Sequence, residues 1–111
     1  MSWLEEIEIE KSRALRSENP GKIRVAARRM VLQGVIELQK QNPANQKITD
    51  AISALNIIAE HPESKTIVRD AANRLLKRLD KDFNSPSVEP IKDAEIIISF
   101  ISSLLDNRKQ L

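Results

Sequence analysis

The sequence predicts an all-α protein of about five helices, folded as one domain over residues 1–111. Along most of the chain, apolar residues recur at intervals of three and four, which is the spacing of amphipathic helices. Strand signals are weak: the chain has no tyrosine, two phenylalanines and one tryptophan, and no stretch alternates cleanly between apolar and polar residues. Only two glycines interrupt the chain. These observations together favour a helical domain that is large enough to bury its own core.

The first helix is predicted over about residues 2–17. Ser2 and Glu5 have the spacing of a capping box, in which each side chain satisfies a backbone N–H at the helix start. Acidic residues come early and basic residues come late, which complements the helix dipole. The residues expected on its packed stripe are Trp3, Leu4, Ile7, Ala14 and Leu15.

The second helix is predicted from Asn19-Pro20, a cap followed by proline in the first turn, to about residue 41. It is apolar on two sides. One side carries Val25, Leu32 and Ile36. The opposite side carries Ile23, Ala26, Ala27, Met30, Val31, Gly34 and Leu38. A helix that is apolar on two sides is covered on two sides, so we expect this helix to be central.

Asn42-Pro43 repeats the same start signal for a third helix. We expect this helix to end near Glu60, because His61-Pro62 follows and a residue before proline avoids helical geometry. His61 is therefore interpreted as a capping or solvated residue. The apolar stripe of this helix consists of Ile48, Ala51, Ile52, Leu55, Ile58 and Ala59.

The fourth helix is predicted from about Glu63 to Leu79, and the fifth from about Pro90 to Asn107. Between them, residues 80–90 are mostly polar and carry two prolines, which predicts a loop or hinge and not a second domain. The fourth helix has its apolar face at Val68, Ala71, Ala72, Leu75, Leu76 and Leu79. The core stripe of the fifth helix is Ile91, Ala94, Ile97, Ile98, Ile101 and Leu105.

Two short sequence motifs each occur twice in this chain, in similar form. IRVAARRM (residues 23–30) matches VRDAANRL (residues 68–75), and ITDAISAL (residues 48–55) matches IKDAEIII (residues 91–98). A repeated unit of about 43–45 residues suits helical hairpins. We therefore predict two HEAT-like helical hairpins with the first helix as an N-terminal cap. The alternative is a simple five-helix bundle in which the similarities are chance.

Three segments carry a resemblance to a known family: AISALNIIAEHP, IVRDAANRLL and DAEIIISFISSLLDN. With them, residues 48–107 resemble a family of small, all-helical archaeal proteins. This chain has an extra N-terminal hairpin and lacks the last helix of the family pattern. The resemblance implies a non-enzymatic accessory subunit that binds a larger protein of the archaeal DNA-replication machinery, such as a B-family DNA polymerase.

The sequence lacks the residue sets that catalysis and metal binding need. It has no cysteine, and His61 is its single histidine, which leaves no thiol nucleophile and no His/Cys metal site. Glu6 and Glu10 lie four residues apart, and we interpret them as part of a solvated acidic face. Gly21 and Gly34 form no phosphate-binding loop. We therefore expect a non-enzyme with no metal, no cofactor and no small-molecule substrate.

The expected location is the cytoplasm. The absence of cysteine fits a reducing compartment. No apolar run approaches the roughly 20 residues of a membrane span, and MSWLEEIEIE is acidic where a signal peptide is basic. The net charge of +2, with an isoelectric point near 9.1, is mild and requires no nucleic-acid partner.

A basic stripe on the fourth helix supports the alternative function, a small helical nucleic-acid-binding protein. On a helical wheel, Arg69, Arg74, Lys77 and Lys81 spread over the side opposite the core. Such stripes contact phosphates. Aspartates are interleaved and no aromatic residue accompanies the stripe, so base stacking is not expected. At most, we expect a weak contact with the nucleic-acid backbone; the other interpretation is a solvated helix face.

Protein binding is the preferred function from the sequence. Ile96 and Phe100 are apolar residues of the fifth helix that its core stripe does not need, and they lie four residues apart on one side. Such surplus apolar pairs mark partner surfaces unless another segment of the chain covers them. Trp3 is the second candidate, because a tryptophan at a helix start is a natural interface anchor. Its alternative place is in the core beside Ile7.

Overall fold

The computed structural model describes residues 2–41, 47–77 and 89–109. Within these ranges the chain forms five α-helices and no strand, which confirms the predicted all-α class. The helices are α1 (Trp3–Leu15), α2 (Pro20–Gln39), α3 (Ala51–Glu60), α4 (Thr66–Leu76) and α5 (Pro90–Lys109). The predicted loop near residues 80–90 lies almost entirely outside the described residues.

Side-chain caps fix the first residues of three helices. The Ser2 hydroxyl accepts a hydrogen bond from the Glu5 N–H at 3.2 Å. The side-chain oxygen of Asn19 accepts from the N–H groups of Gly21 and Lys22 in the first turn of α2. Asp50 accepts from the Ser53 N–H at 2.8 Å. Each cap satisfies a donor that the helix itself leaves free. The predicted starts of α1 and α2 are confirmed.

The start of α3 differs from the prediction. Asn42-Pro43, the predicted start signal, lies outside the described residues. Ile48, predicted on the stripe of α3, precedes the cap residue Asp50 and is not helical. Its N–H donates to the side-chain oxygen of Gln39 at 3.2 Å, so this stretch of backbone bonds to the end of α2. Aspartate is a stronger cap than its neighbours in the sequence, and it sets the first turn.

Helix α2 is central, as its two apolar sides predict. It packs against α1, α3 and α5, and its contact with α5 is the most extensive in the molecule. The side that carries Leu32 is less covered than the other. On that side, Val25 is exposed at the edge of α1. The buried residues of α2 are Ala26, Ala27, Met30, Val31, Gly34, Val35 and Leu38.

Helices α2 and α5 approach each other closely at Gly34. A Cβ atom at this position would lie 2.9 Å from Cδ1 of Ile101 and 3.0 Å from Cδ1 of Ile98. The indole of Trp3 covers the same point from α1, with its Cζ3 atom 3.6 Å from that position. The absence of a side chain thus admits two isoleucines of α5 at the cost in helix propensity that glycine carries, about 1 kcal/mol.

The contacts at the two ends of the bundle give the helix directions. Arg28 of α2 reaches Leu75, and Arg74 reaches Asp93, so the end of α4 lies near the first halves of both α2 and α5. Farther along, Gly34 meets Ile101. Helices α2 and α5 therefore run in the same direction, and α4 runs in the opposite one.

These directions bear on the predicted repeat. Stacked HEAT-like hairpins would pair α2 side by side with α4, in the same direction. Here α2 packs chiefly against α5, and α2 and α4 run in opposite directions. The HEAT-like detail is not confirmed, and a helical bundle describes the packing. The alanine pairs of the repeated motif nevertheless share one role, because all four are buried: Ala26, Ala27, Ala71 and Ala72.

Helix α1 buries a narrower stripe than predicted. Ile7 and Ala14 are buried, and Trp3 is half-buried against the core. Leu4 and Leu15, also predicted on this stripe, are exposed. The reason is that α1 has one main neighbour, α2, and one neighbour covers only about a third of a helix surface. The prediction for these two leucines was therefore wrong.

Replacing Gly34 with valine tests the close approach of α2 and α5. The branched side chain would collide with Ile98 and Ile101, and we expect the free energy of unfolding to fall by about 1–3 kcal/mol, a typical cost of overpacking. Valine has a higher helix propensity than glycine, so helix propensity cannot account for a loss. The measurement is urea unfolding followed by circular dichroism. An unchanged or increased stability would mean that the contact is not tight.

The α3 cap predicts a dependence of stability on pH. The hydrogen bond from the Ser53 N–H lowers the pKa of Asp50 below its ordinary value of 3.8. A carboxylate whose pKa is lower in the folded state stabilises the fold above the unfolded pKa, and this contribution is lost as the pH falls through the folded pKa. Below about pH 4, wild type should therefore lose more stability than Asp50→Asn, whose amide oxygen caps without titrating. Parallel pH profiles of thermal unfolding would contradict the prediction.

Candidate functional site

Ile96 and Phe100 are half-buried, and both pack on the core from one side of α5. The ring of Phe100 meets the imidazole of His61 edge-to-face, with centroids 5.5 Å apart and planes at 81°. This arrangement suits two aromatic rings. The surplus apolar pair predicted from the sequence therefore faces the corner that joins α3 to α4, and this corner covers part of it.

The corner between α3 and α4 is held by its own hydrogen bonds. The buried Ser64 hydroxyl donates to the Ile58 carbonyl at 2.7 Å. The His61 Nδ1 atom accepts from the Glu63 N–H at 3.1 Å, which confirms the interpretation of His61 as a capping residue. Arg69 donates back to the Ser64 carbonyl at 3.1 Å. The first turn of α4 is thereby fixed in place opposite α5.

An open groove of about 510 Å³ lies between the start of α4 and the second half of α5. We refer to it as the α4–α5 groove. Val68 and Leu104 are its buried floor, and Ile67, Ile96 and Phe100 are its accessible apolar residues. Its rim is Glu63, Lys65, Ser99, Ser103 and Asn107. The rim carries one acid and one base, so its charges cancel.

Ile67 is the member of this groove that the sequence analysis missed. It is 61% exposed, which is unusual for isoleucine in a helix. A signal was available, because Ile67 lies beside Val68 and off the core face of α4. An apolar residue that the core stripe does not need was the criterion applied to Ile96 and Phe100, and it applies equally to Ile67.

A second groove, of about 610 Å³, lies between the end of α1 and the start of α2. Its side chains are mostly charged or small, and Val25 is its one large apolar residue. Arg13, Lys22 and Arg29 stand around it with Glu10. Three basic residues and one acidic residue line it, whereas the α4–α5 groove has one of each.

Trp3 lies half-buried over the contact between Gly34 and α5. This agrees with the core location that the sequence left open as its alternative, and the indole lies against Gly34 of α2. Its role as an anchor for a partner stays a prediction.

The predicted basic stripe is partly engaged inside the molecule. Arg74 donates hydrogen bonds to the largely buried carboxylate of Asp93, and the shortest of them joins Nη2 to Oδ1 at 2.7 Å. This hydrogen bond raises the pKa of Arg74 above its ordinary value. Arg69 is exposed and holds the corner at Ser64. Lys77 is exposed, and Lys81 lies outside the described residues. Binding of nucleic acid by these residues stays a prediction.

Two arginines of α2 bond to the C-terminal end of α4. Arg28 donates from both Nε and Nη2 to the Leu75 carbonyl, at 2.9 and 2.7 Å. Arg24 donates to the Lys77 carbonyl. Cations at a helix C-terminus satisfy its free carbonyls and complement its dipole. Burial, and then repulsion by Arg24, lowers the pKa of Arg28. Arg24 and Arg28 thus have a structural role: they hold the C-terminal end of α4 against α2.

No protein-family model, curated protein or solved structure matches this chain. Among the described residues, no three His, Cys, Asp or Glu side chains are grouped so that they could hold a metal ion. In the same parts of the chain, every helix is too short or too polar to traverse a membrane.

The contribution of the Arg74–Asp93 pair to the fold can be tested by measuring the free energy of unfolding. Arg74→Ala would take the guanidinium away from a largely buried carboxylate, and we expect a loss of about 1–3 kcal/mol in the free energy of unfolding. Lys77→Ala removes an exposed charge from the next turn and should change stability by less than about 0.5 kcal/mol. Chemical unfolding of both variants separates the two roles. A similar small change in both would mean that the pair is a surface contact only.

Proposed function

We propose that this chain is a non-enzymatic accessory subunit that binds an apolar helix of a larger protein in the α4–α5 groove. The observation that carries the proposal is the grouping of Ile67, Ile96 and Phe100 around an open groove. Two helices, separate in sequence, contribute these residues. A surface of this kind marks a site of protein association more often than a solvated face.

The dimensions of the groove support a helical partner. From Ile96 to Asn107, α5 advances by about 16 Å, which equals about three turns of helix. An amphipathic helix presents apolar side chains at i, i+3, i+4 and i+7 over this length. Val68 and Leu104 give the groove an apolar floor, and Ile67 projects at its edge.

The charge of the rim supports an uncharged contact surface on the partner. Glu63 and Lys65 cancel, and the α5 side of the rim is formed by two serines and Asn107. Such a rim attracts neither phosphate nor a strongly charged peptide. Binding driven by apolar burial depends little on salt, whereas contact with a nucleic-acid backbone weakens steeply as salt rises.

The resemblance of residues 48–107 to small archaeal helical proteins names the first partner to test, a B-family DNA polymerase of the replication machinery. The proposed compartment is the cytoplasm, which the absence of cysteine in the sequence favours. The alternative function is backbone contact with nucleic acid through Arg69 and Lys77, and it gives the opposite result in the following experiment.

Ile67→Ser tests the groove with little risk to the fold, because this side chain is mostly exposed. We expect its affinity for the polymerase to fall at least about tenfold, which is a typical effect of truncating an apolar anchor of an interface. The measurement is calorimetric titration with the purified polymerase, at about 0.1 M and about 0.5 M salt. A polymerase captured by the tagged chain from its native source, with nuclease present, supplies the material.

Ile52→Ser is the matched control. Ile52 is 45% exposed on α3 and does not line the groove, so this variant should bind like wild type. Equal affinities for Ile67→Ser and wild type would contradict the proposed site. Binding that disappears with nuclease, or that falls steeply between the two salt concentrations, would support the nucleic-acid alternative. Ile96 and Phe100 are poorer probes, because they also pack on the core.

A further inference from the structure

Helix α1 presents large apolar side chains to solvent on the side that α2 leaves uncovered. Leu4 is 46% exposed and Leu15 is 65% exposed. Neither residue lines the α4–α5 groove. The surface they form is therefore separate from the site of the proposed function.

The two leucines belong to one continuous stripe. Leu4, Glu8, Lys11 and Leu15 follow one another at steps of four, three and four residues. This is the spacing of the contact positions in a coiled coil. Glu8 is exposed, and the Lys11 ammonium lies 3.9 Å from it. We call these four residues the α1 stripe.

The order of residues along the α1 stripe is complementary to itself when reversed. In one direction it is apolar, acidic, basic, apolar; in the other it is apolar, basic, acidic, apolar. In an antiparallel pair of identical helices, Leu4 would therefore face Leu15 of the partner subunit, and Glu8 would face Lys11 of the partner subunit. Contacts related by a two-fold axis require this kind of self-complementarity.

We propose that the α1 stripe is a self-association surface, on which α1 of a second copy of this chain packs antiparallel. The complementary charges select the second copy as the occupant, because an unrelated partner would have to reproduce the same four residues in the reverse order. The apolar ends supply the burial, and the central charges fix the register.

The neighbourhood of Lys11 is compatible with this pairing. Its ammonium lies 3.5 Å from the exposed carboxylate of Glu95 on α5, in addition to its contact with Glu8. In the dimer, each Glu8 gains a second ammonium, from the partner subunit. Two Glu95 carboxylates remain at the edge of the contact, so the charges form a network that spans the two-fold axis.

The size of the contact predicts a weak dimer. Stable complexes bury about 1,200–2,000 Å² in total, and one pair of four-turn helices buries less than that. We therefore expect a weak monomer–dimer equilibrium, in which dimers form only at high protein concentration. Such an equilibrium is measurable by sedimentation equilibrium between about 10 µM and about 1 mM.

A charge exchange tests the proposed pairing. Glu8→Lys alone places like charges opposite each other in the homodimer, and Lys11→Glu alone does the same with the opposite sign. Each variant should therefore remain monomeric across the concentration range. An equal mixture of the two pairs every acid with a base and should dimerise at least as well as wild type. A parallel pair would place like charges opposite each other in wild type, so dimerisation of wild type together with recovery in the mixture identifies the antiparallel contact.

Three further variants define the surface. Leu15→Ser should abolish dimer formation, because it removes the most exposed apolar residue of the stripe. Ile9→Ser should leave it unchanged: Ile9 is 45% exposed, like Leu4, but lies outside the stripe on the same helix. Ile67→Ser should also leave it unchanged, which separates this contact from association through the groove. Thermal unfolding confirms that each variant is folded.

The proposal is overturned if wild type stays monomeric throughout the concentration range. It is also overturned if the mixture of charge variants fails to dimerise while wild type does. Loss of the dimer in Ile9→Ser or Ile67→Ser, with retention in Leu15→Ser, would move the contact to another surface. None of these outcomes depends on whether the groove binds a partner helix.

Discussion

Helices α2 and α5 pack closely at Gly34, where a Cβ atom would lie 2.9 Å and 3.0 Å from the terminal methyl groups of Ile101 and Ile98. The other elements are attached to this pair. Helix α1 packs along α2 and reaches α5 through the Lys11–Glu95 ion pair. Helix α4 packs along α5, and arginines of α2 hold its C-terminal end. Helix α4, which forms one wall of the α4–α5 groove, is therefore attached to both helices of this pair.

Much of the fold is local, and local features could be predicted from the sequence. The caps at Ser2 and Asn19, the corner at His61-Pro62 and the buried stripe of α5 all follow from residues within a few positions of one another. The failures concern neighbours. A helical wheel predicts which face of α1 is apolar, but it does not predict that a single helix covers it, and so Leu15 remains exposed. The repeated motif illustrates the same limit, because Arg24 bonds to another helix while its counterpart Arg69 bonds to its own corner.

The candidate site was likewise predictable only where it depends on local sequence. Ile96 and Phe100 could be found because they exceed what the core stripe of α5 needs. Their meeting with Ile67 depends on the corner at residues 61–65, whose geometry comes from the buried Ser64 hydroxyl bond to Ile58. A periodic pattern does not contain that bond. Arg74 was assigned to a free face because its partner, Asp93, belongs to the next helix, and pairing at that separation is set by packing and not by local sequence.

The position of the single tryptophan gives the molecule an internal spectroscopic reporter. Trp3 stands on α1 and lies over the contact between α2 and α5, and the chain has no tyrosine. Its emission spectrum therefore reports on the seating of the N-terminal helix on the bundle. A half-buried indole emits at shorter wavelength than one in water, so detachment of α1 would appear as a red shift even while far-ultraviolet dichroism still registers intact helices. Whether α1 separates before the other helices unfold can thus be observed without any added label.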